Sequence, residues 1–181
     1  MTAQSVKKWH GLYQGVVVSN VDTSDMGRLL VRVTEVLGDD HCIWASPLSP
    51  MAGTASGMYV VPLQYSGVWV QFLDGDPNRA VWTGFWRGGA GDVPPAAKST
   101  PAGVPQIVLA TPSQNALVIS DQSGVAGGSA ITLQLHGVGG PFIKIDEMSI
   151  EISCGPGRAS IMLDGTGVHI NGDALTVLGG G

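Results

Sequence analysis

FIKIDEMSIEI (142–152) and SIMLDGTGVHI (160–170) are one pattern written twice. Ile143, Ile145, Asp146, Ile150 and Ile152 return 18 residues later as Ile161, Leu163, Asp164, Val168 and Ile170. Apolar residues alternate with polar or small ones on both sides of an Asp-led break, so each unit reads as strand, tight turn, strand. Strands this short cannot bury their apolar row alone, whereas stacked copies can. The grammar extends both ways from the repeat. IVLA (107–110), ALVIS (116–120), AITLQL (130–135), FIKI (142–145), SIEI (149–152), SIML (160–163), GVHI (167–170) and ALTV (174–177) are all candidate strands. Residues 106–181 therefore predict an elongated β-helical unit, with Ile143, Ile145, Ile150, Ile152, Ile161, Leu163, Val168, Ile170, Leu175 and Val177 as the inward aliphatics. The ordering entropy of such a chain is large, and one chain of short strands offers few ladder partners. The simplest resolution is an intertwined homotrimer whose aliphatics meet on a common axis, with a single-chain solenoid as the rival.

Upstream the grammar differs. LYQGVVVSNV (12–21), RLLVRVT (28–34), HCIWAS (41–46), MYVVP (58–62), VWVQFL (68–73) and AVWTGFW (80–86) are strand candidates, punctuated by DTSDMG (22–27) and DGDPN (74–78). Five to six strands in this space predict a small Greek-key barrel over residues 1–88. GGAGDVPPAAKSTPAGV (89–105) alternates nowhere and reads as a linker extended by its prolines. The fold class is all-β.

Composition agrees. The chain has 181 residues, 44% of them hydrophobic, with 27 Gly, 11 Pro and only 13% charged residues, which argues for turn-rich β structure and against disorder. The net charge of −5, with no basic run beyond Lys7-Lys8, argues against charge-driven binding of nucleic acid or anionic lipid. Cys42 and Cys154 fall in different predicted domains and read as reduced, packed thiols. MTAQSVKKWHG (1–11) has no apolar core after its lysines, so no signal peptide is expected, and no run of 18 apolar residues predicts a membrane helix. Synthesis in the cytoplasm is the corresponding expectation.

No constellation for catalysis emerges. The carboxylates Asp22, Asp25, Asp39, Asp40, Asp74, Asp76, Asp121, Asp146 and Asp164 sit where turns are predicted, and Asp is a turn former. There is no Gly-x-Ser-x-Gly, no Cys–His pairing and no phosphate loop, and GGAG (88–91) is linker glycine. The expectation is no enzyme and no cofactor. One axial metal site can be drawn: three copies of His169 converging on a threefold axis. Alternation places His169 opposite Val168 and Ile170, however, so its expected place is the solvent face. Trp44, Trp69, Trp82 and Trp86 lie among valines and in acidic company. They read as core or interface residues, not as a stacking platform for single strands. A nucleic-acid- or polysaccharide-binding OB module on a β-helical stalk remains the alternative function.

Four segments in order then resemble a known family. KKWHGLYQGVVVSN (7–20), MGRLLVRVTEVLGDD (26–40), CIWASPLSPMAG (42–53) and GVWVQFLDGDPNRAVWTGFW (67–86), followed by the β-helix repeat, are similar to the phage baseplate assembly protein V and central-spike family, relatives of the VgrG spikes of type VI secretion. The resemblance implies an OB-fold collar (1–88) and a trimeric needle (106–181). It implies a structural, membrane-puncturing role in the virion tail baseplate, or in a tailocin or other injection particle. It implies a baseplate hub protein at the collar and transient contact with the target outer membrane. Leu178, Gly179, Gly180 and Gly181 would then form a blunt end on which a PAAR-like tip cap docks. Residues 89–105 are too short for the lysozyme-like insert of some relatives. No extra N-terminal hub domain like that of VgrG spikes is expected, and residues 1–181 hold no His-x-His pair of the kind with which some short members hold an iron ion.

Overall fold

The computed structural model describes residues 7–122, 130–172 and 174–178, and divides into two units at Gly88/Gly89. Both are built on strands.

The first unit contains β1 (Tyr13–Ser19), β2 (Leu29–Arg32), β3 (Cys42–Pro47), β4 (Ala52–Gly53), β5 (Ser56–Gly57), β6 (Gly67–Phe72) and β7 (Ala80–Phe85), with one helical turn, α1 (Thr34–Leu37). Strands β1, β2, β3, β7 and β6 close into a five-stranded barrel in that order, and β6 pairs back onto β1. Alternation explains the core. Val17, Leu29, Val31, Val33, Val68 and Val70 point inward and are almost fully buried, with Ala45, Phe72, Ala80 and Trp82 completing the cluster. β-branched residues suit this position because their restricted χ1 packs well on a pleated surface.

Closure rests on a narrow seam. β3 and β7 run parallel with only Ser46↔Val81 and Pro47↔Trp82 in register, extended by Leu48 N–H donating to Trp82 C=O at 2.9 Å. Trp82 locks the seam from inside, its Nε1–H donating to the Gly27 carbonyl at 3.1 Å. On the barrel wall the Trp86 indole lies over Gly67, where any Cβ would collide with its ring, and Trp86 Nε1–H donates to Gly15 C=O at 3.1 Å. Glycine at 67 is thus a requirement of close approach. At the β1–β2 turn, Asp22 accepts N–H bonds from Ser24, Met26 and Arg28 and pairs with the Arg28 guanidinium at 2.7 Å.

Three expectations change. MYVVP (58–62) is no strand: it runs outside the ladder, and Pro62, which has no N–H to give, instead accepts from Asn20 Nδ2 at 2.7 Å. Residues 89–105 are not uniformly extended. They hold a 3-10 turn (Ala90–Asp92) and a helical turn, α2 (Pro95–Lys98), because proline is well tolerated in the first turn of a helix. Cys42 and Cys154 are free but exposed, not packed. Cys42 falls on the outward phase of β3, and Cys154 in a turn.

The second unit is a single eight-stranded antiparallel sheet in strict chain order: β8 (Gln106–Ala110), β9 (Ala116–Ser120), β10 (Ala130–Gln134), β11 (Phe142–Asp146), β12 (Ser149–Ser153), β13 (Ser160–Asp164), β14 (Gly167–Ile170) and β15 (Leu175–Leu178). Short connections keep successive strands adjacent, so β9–β14 have both edges paired within one chain. The expectation that ladder partners must come from other chains does not hold for these strands.

Candidate functional site

The pairing register assembles the alternating aliphatics into two continuous rows on one face. The first is Ile107, Ile119, Ile131, Ile145, Ile150, Leu163, Val168, Val177. The second is Leu109, Leu117, Leu133, Ile143, Ile152, Ile161, Ile170, Leu175. All ten residues expected to point inward lie in these rows. Six positions of the same kind further upstream (Ile107, Leu109, Leu117, Ile119, Ile131 and Leu133) extend them. Alternation marks those segments as strands, but the 18-residue repeat does not reach them.

This face is uncovered within one chain. Ile143 and Ile150 are each 41% exposed and Val177 is 58% exposed. The opposite face carries Val108, Val118, Thr132, Lys144, Glu151, Met162, His169 and Thr176 across its middle. Scattered exposed aliphatics are ordinary, but of the sixteen residues in these two ordered rows twelve are exposed and the other four half-buried, a contiguous apolar patch that marks an interaction surface.

The aspartates of the repeat set the turns. Asp146 Oδ1 accepts from the N–H groups of Met148 and Ser149, both at 2.9 Å, and Oδ2 pairs with Lys144 Nζ at 2.8 Å. Lys144 first, then the Met148 N–H, hold the Asp146 carboxyl well below the usual carboxylate range against the opposing pull of burial. Asp164 accepts from the Thr166 hydroxyl at 2.6 Å and the Thr166 N–H at 2.7 Å, which hold its pKa down to about 2, with Gly167 N–H and the neighbouring His169 adding less. Both folded-state values lie below the ordinary 3.8, so the stabilisation is full above that value and is lost as pH falls through the folded values. The melting temperature of the second unit should hold from neutral pH to about pH 5 and decline between about pH 4 and pH 2. Calorimetry of an Asp146→Asn, Asp164→Asn double variant checks this. The decline should flatten, and an unchanged decline places its origin elsewhere.

His169 lies on the face opposite Val168 and Ile170, as its alternation requires. Its Nε2 is 3.1 Å from Thr166 Oγ1 and 3.4 Å from Asp164 Oδ2, and its Nδ1 is 3.4 Å from Thr176 Oγ1. With only 14% of the side chain exposed, it is enclosed by these neighbours, not open to solvent as expected. It points away from the aliphatic rows. No group of three or more His, Cys, Asp or Glu suited to a metal occurs among the described residues.

Of the four tryptophans expected in core or interface, Trp82 is buried in the core and Trp69 and Trp86 are half-buried. Trp44 is half-exposed with the Arg28 guanidinium over its ring at 5.4 Å. Leu178, expected at the needle end, is 74% exposed in β15, and Gly179, Gly180 and Gly181 lie outside the described residues.

Comparison with known families agrees with both units. Residues 13–86 match the model described as the type VI secretion system/phage-baseplate injector OB domain, and residues 106–176 match the phage baseplate V C-terminal trimerisation domain. No curated protein matches the chain.

Proposed function

The chain belongs to the phage baseplate V family, an injector OB domain followed by a trimerisation domain, and from that premise we propose that it is the central spike of a contractile injection apparatus, a puncturing needle carried on an OB collar. The family match gives it a structural role in the tail baseplate and a homotrimeric C-terminal domain. The observation that carries the finer reading is the pair of aliphatic rows. Three copies that turn these faces toward one another wind about a common axis, dry and aliphatic within, polar without. The right-handed twist of each sheet turns the assembly into an intertwined prism. Stiffness follows, because every interior strand is hydrogen-bonded along the stack and the axis is packed. A contracting sheath then transmits axial force through the trimer to the target outer membrane.

Two docking roles follow from exposure. On the collar, the 48–65 segment displays Leu48, Met51, Met58, Tyr59, Val61, Leu63 and Tyr65, each about half exposed or more, and is the surface assigned to the baseplate hub. In the second unit, β15 is an edge strand of the sheet with Leu175, Val177 and Leu178 exposed, the proposed platform for a PAAR-like tip cap. Deleting residues 175–181 should leave a trimer and abolish capture of the cap and normal penetration. Particles that still bind the cap and kill or infect normally contradict the tip assignment.

A further inference from the structure

The sheet has two unlike lateral borders. In a meander, alternate turns fall on opposite sides. One border is made by the connections 111–115, 135–141, 154–159 and 171–174, the other by those after β9, β11 and β13. The first is rich in glycine: Gly137, Gly139, Gly140, Gly155, Gly157 and Gly172. It is close-packed around Gly137, Gly140 and Gly155, whereas the space beside Gly139, Gly157 and Gly172 is open. A Cβ at Gly155 would sit 2.7 Å from the Gly139 carbonyl oxygen of the preceding turn, and Ser160 and Asn171 exchange hydrogen bonds across the next pair of strands. Among the described residues, Arg158 is the one Lys, Arg, Asp or Glu in this border. The second border is acidic, with Asp121, Asp146, Glu147 and Asp164. Asp146 and Asp164 are engaged with Lys144 and with Thr166 and His169, whereas neither Glu147 nor Arg158 forms an ion pair among the described residues, and both are exposed.

Cyclic threefold symmetry about the stacking direction permits only one arrangement of such borders. The same border cannot meet itself, because self-pairing requires a twofold axis. The glycine border of each copy must meet the acidic border of the next. The turn carrying Arg158 lies between β12 and β13, and the turn carrying Glu147 lies between β11 and β12, so their levels differ by one strand spacing, about 4.8 Å. That offset is within the reach of the two side chains.

We infer that the corners of the trimer are heterologous contacts in which Arg158 of one copy pairs with Glu147 of the next, with the glycine border allowing the close approach. The inference rests on the trimer reading above. It assigns a specificity element to the assembly. A neighbour shifted by two strands would leave both charges unpaired, so Arg158 and Glu147 favour the unshifted arrangement in which the ring closes.

The test places cysteines at Glu147 and Arg158 in a Cys42→Ser, Cys154→Ser background, at high dilution, with a short bis-maleimide. Within one chain the two positions flank the five residues of β12, roughly 17 Å apart, beyond the linker. The doubly substituted protein should give a covalent trimer on denaturing gels, and the single Glu147→Cys and Arg158→Cys proteins should give monomer only. Covalent dimer from either single variant means like borders meet, and overturns the assignment. A trimer by light scattering with no covalent product from the double variant overturns the corner pairing and leaves the axial reading standing. A monomer by light scattering in the unmodified chain overturns the axial reading itself.

Discussion

Ile150→Asp or Val168→Asp abolishes the trimer. Ile150 lies between Ile145 and Leu163 in the first aliphatic row, and Val168 between Leu163 and Val177. On a threefold axis each substitution brings three carboxylates together in an apolar, water-poor space. An unpaired buried charge costs several kcal/mol, and three like charges repel further. That exceeds what a marginally stable assembly tolerates. The barrel, with its own core, should remain folded. Ile150→Val removes one methylene per chain and should leave a trimer, at a cost of about 1 kcal/mol per chain. Thr176→Asp, on the opposite face beside His169, should also leave a trimer. Light scattering on all four proteins checks the pattern. Loss of the trimer in Thr176→Asp with retention in Ile150→Asp means the wrong face has been taken as the axis.

Trp82→Ala opens the barrel. The indole is 93% removed from solvent, and its Nε1–H satisfies the buried Gly27 carbonyl. Truncating a buried aromatic to alanine costs about 3–5 kcal/mol, and an orphaned buried acceptor adds about 1–3 kcal/mol. The position magnifies the loss, since Pro47↔Trp82 is one of the two register pairs that close β3 on β7. For a unit of this size a loss of about 4 kcal/mol lowers the melting temperature by more than roughly 15 °C. Calorimetry of the full chain should show the barrel transition shifted or absent and the transition of the second unit kept. Trp82→Phe keeps most of the packing but not the N–H, so its shift should be about a third as large. Equal shifts in both variants mean that the hydrogen bond, not the ring, holds the seam.

Much of this architecture was legible in the residues, and the limits have physical causes. Period-two alternation located all eight strands of the second unit to within a residue or two, because each strand presents one aliphatic face and is ended by Asp, Gly or Pro. The 18-residue repeat picked out the later aliphatics but not Ile107 or Leu133. The connections before and after β10, residues 121–129 and 135–141, are longer, which spoils the period without changing the register. The ladder partners were misjudged, because alternation reports which face a residue takes and not which chain pairs with its edge. MYVVP has the composition of a strand, yet the barrel closes through β1, β2, β3, β7 and β6 without it, a topology that no local pattern encodes. The enclosure of His169 by Asp164, Thr166 and Thr176 needs a cross-strand register that single-strand alternation does not contain.

The central claim is that the two aliphatic rows are the inside of a threefold assembly. Size-exclusion chromatography with light scattering on the unmodified chain at micromolar concentration tests it most directly. One chain weighs 18.6 kDa, so the account predicts a single species of about 56 kDa (three times 18.6), resistant to dilution. A folded, stable species at 18.6 kDa, with the aliphatic face still open to solvent, would contradict it.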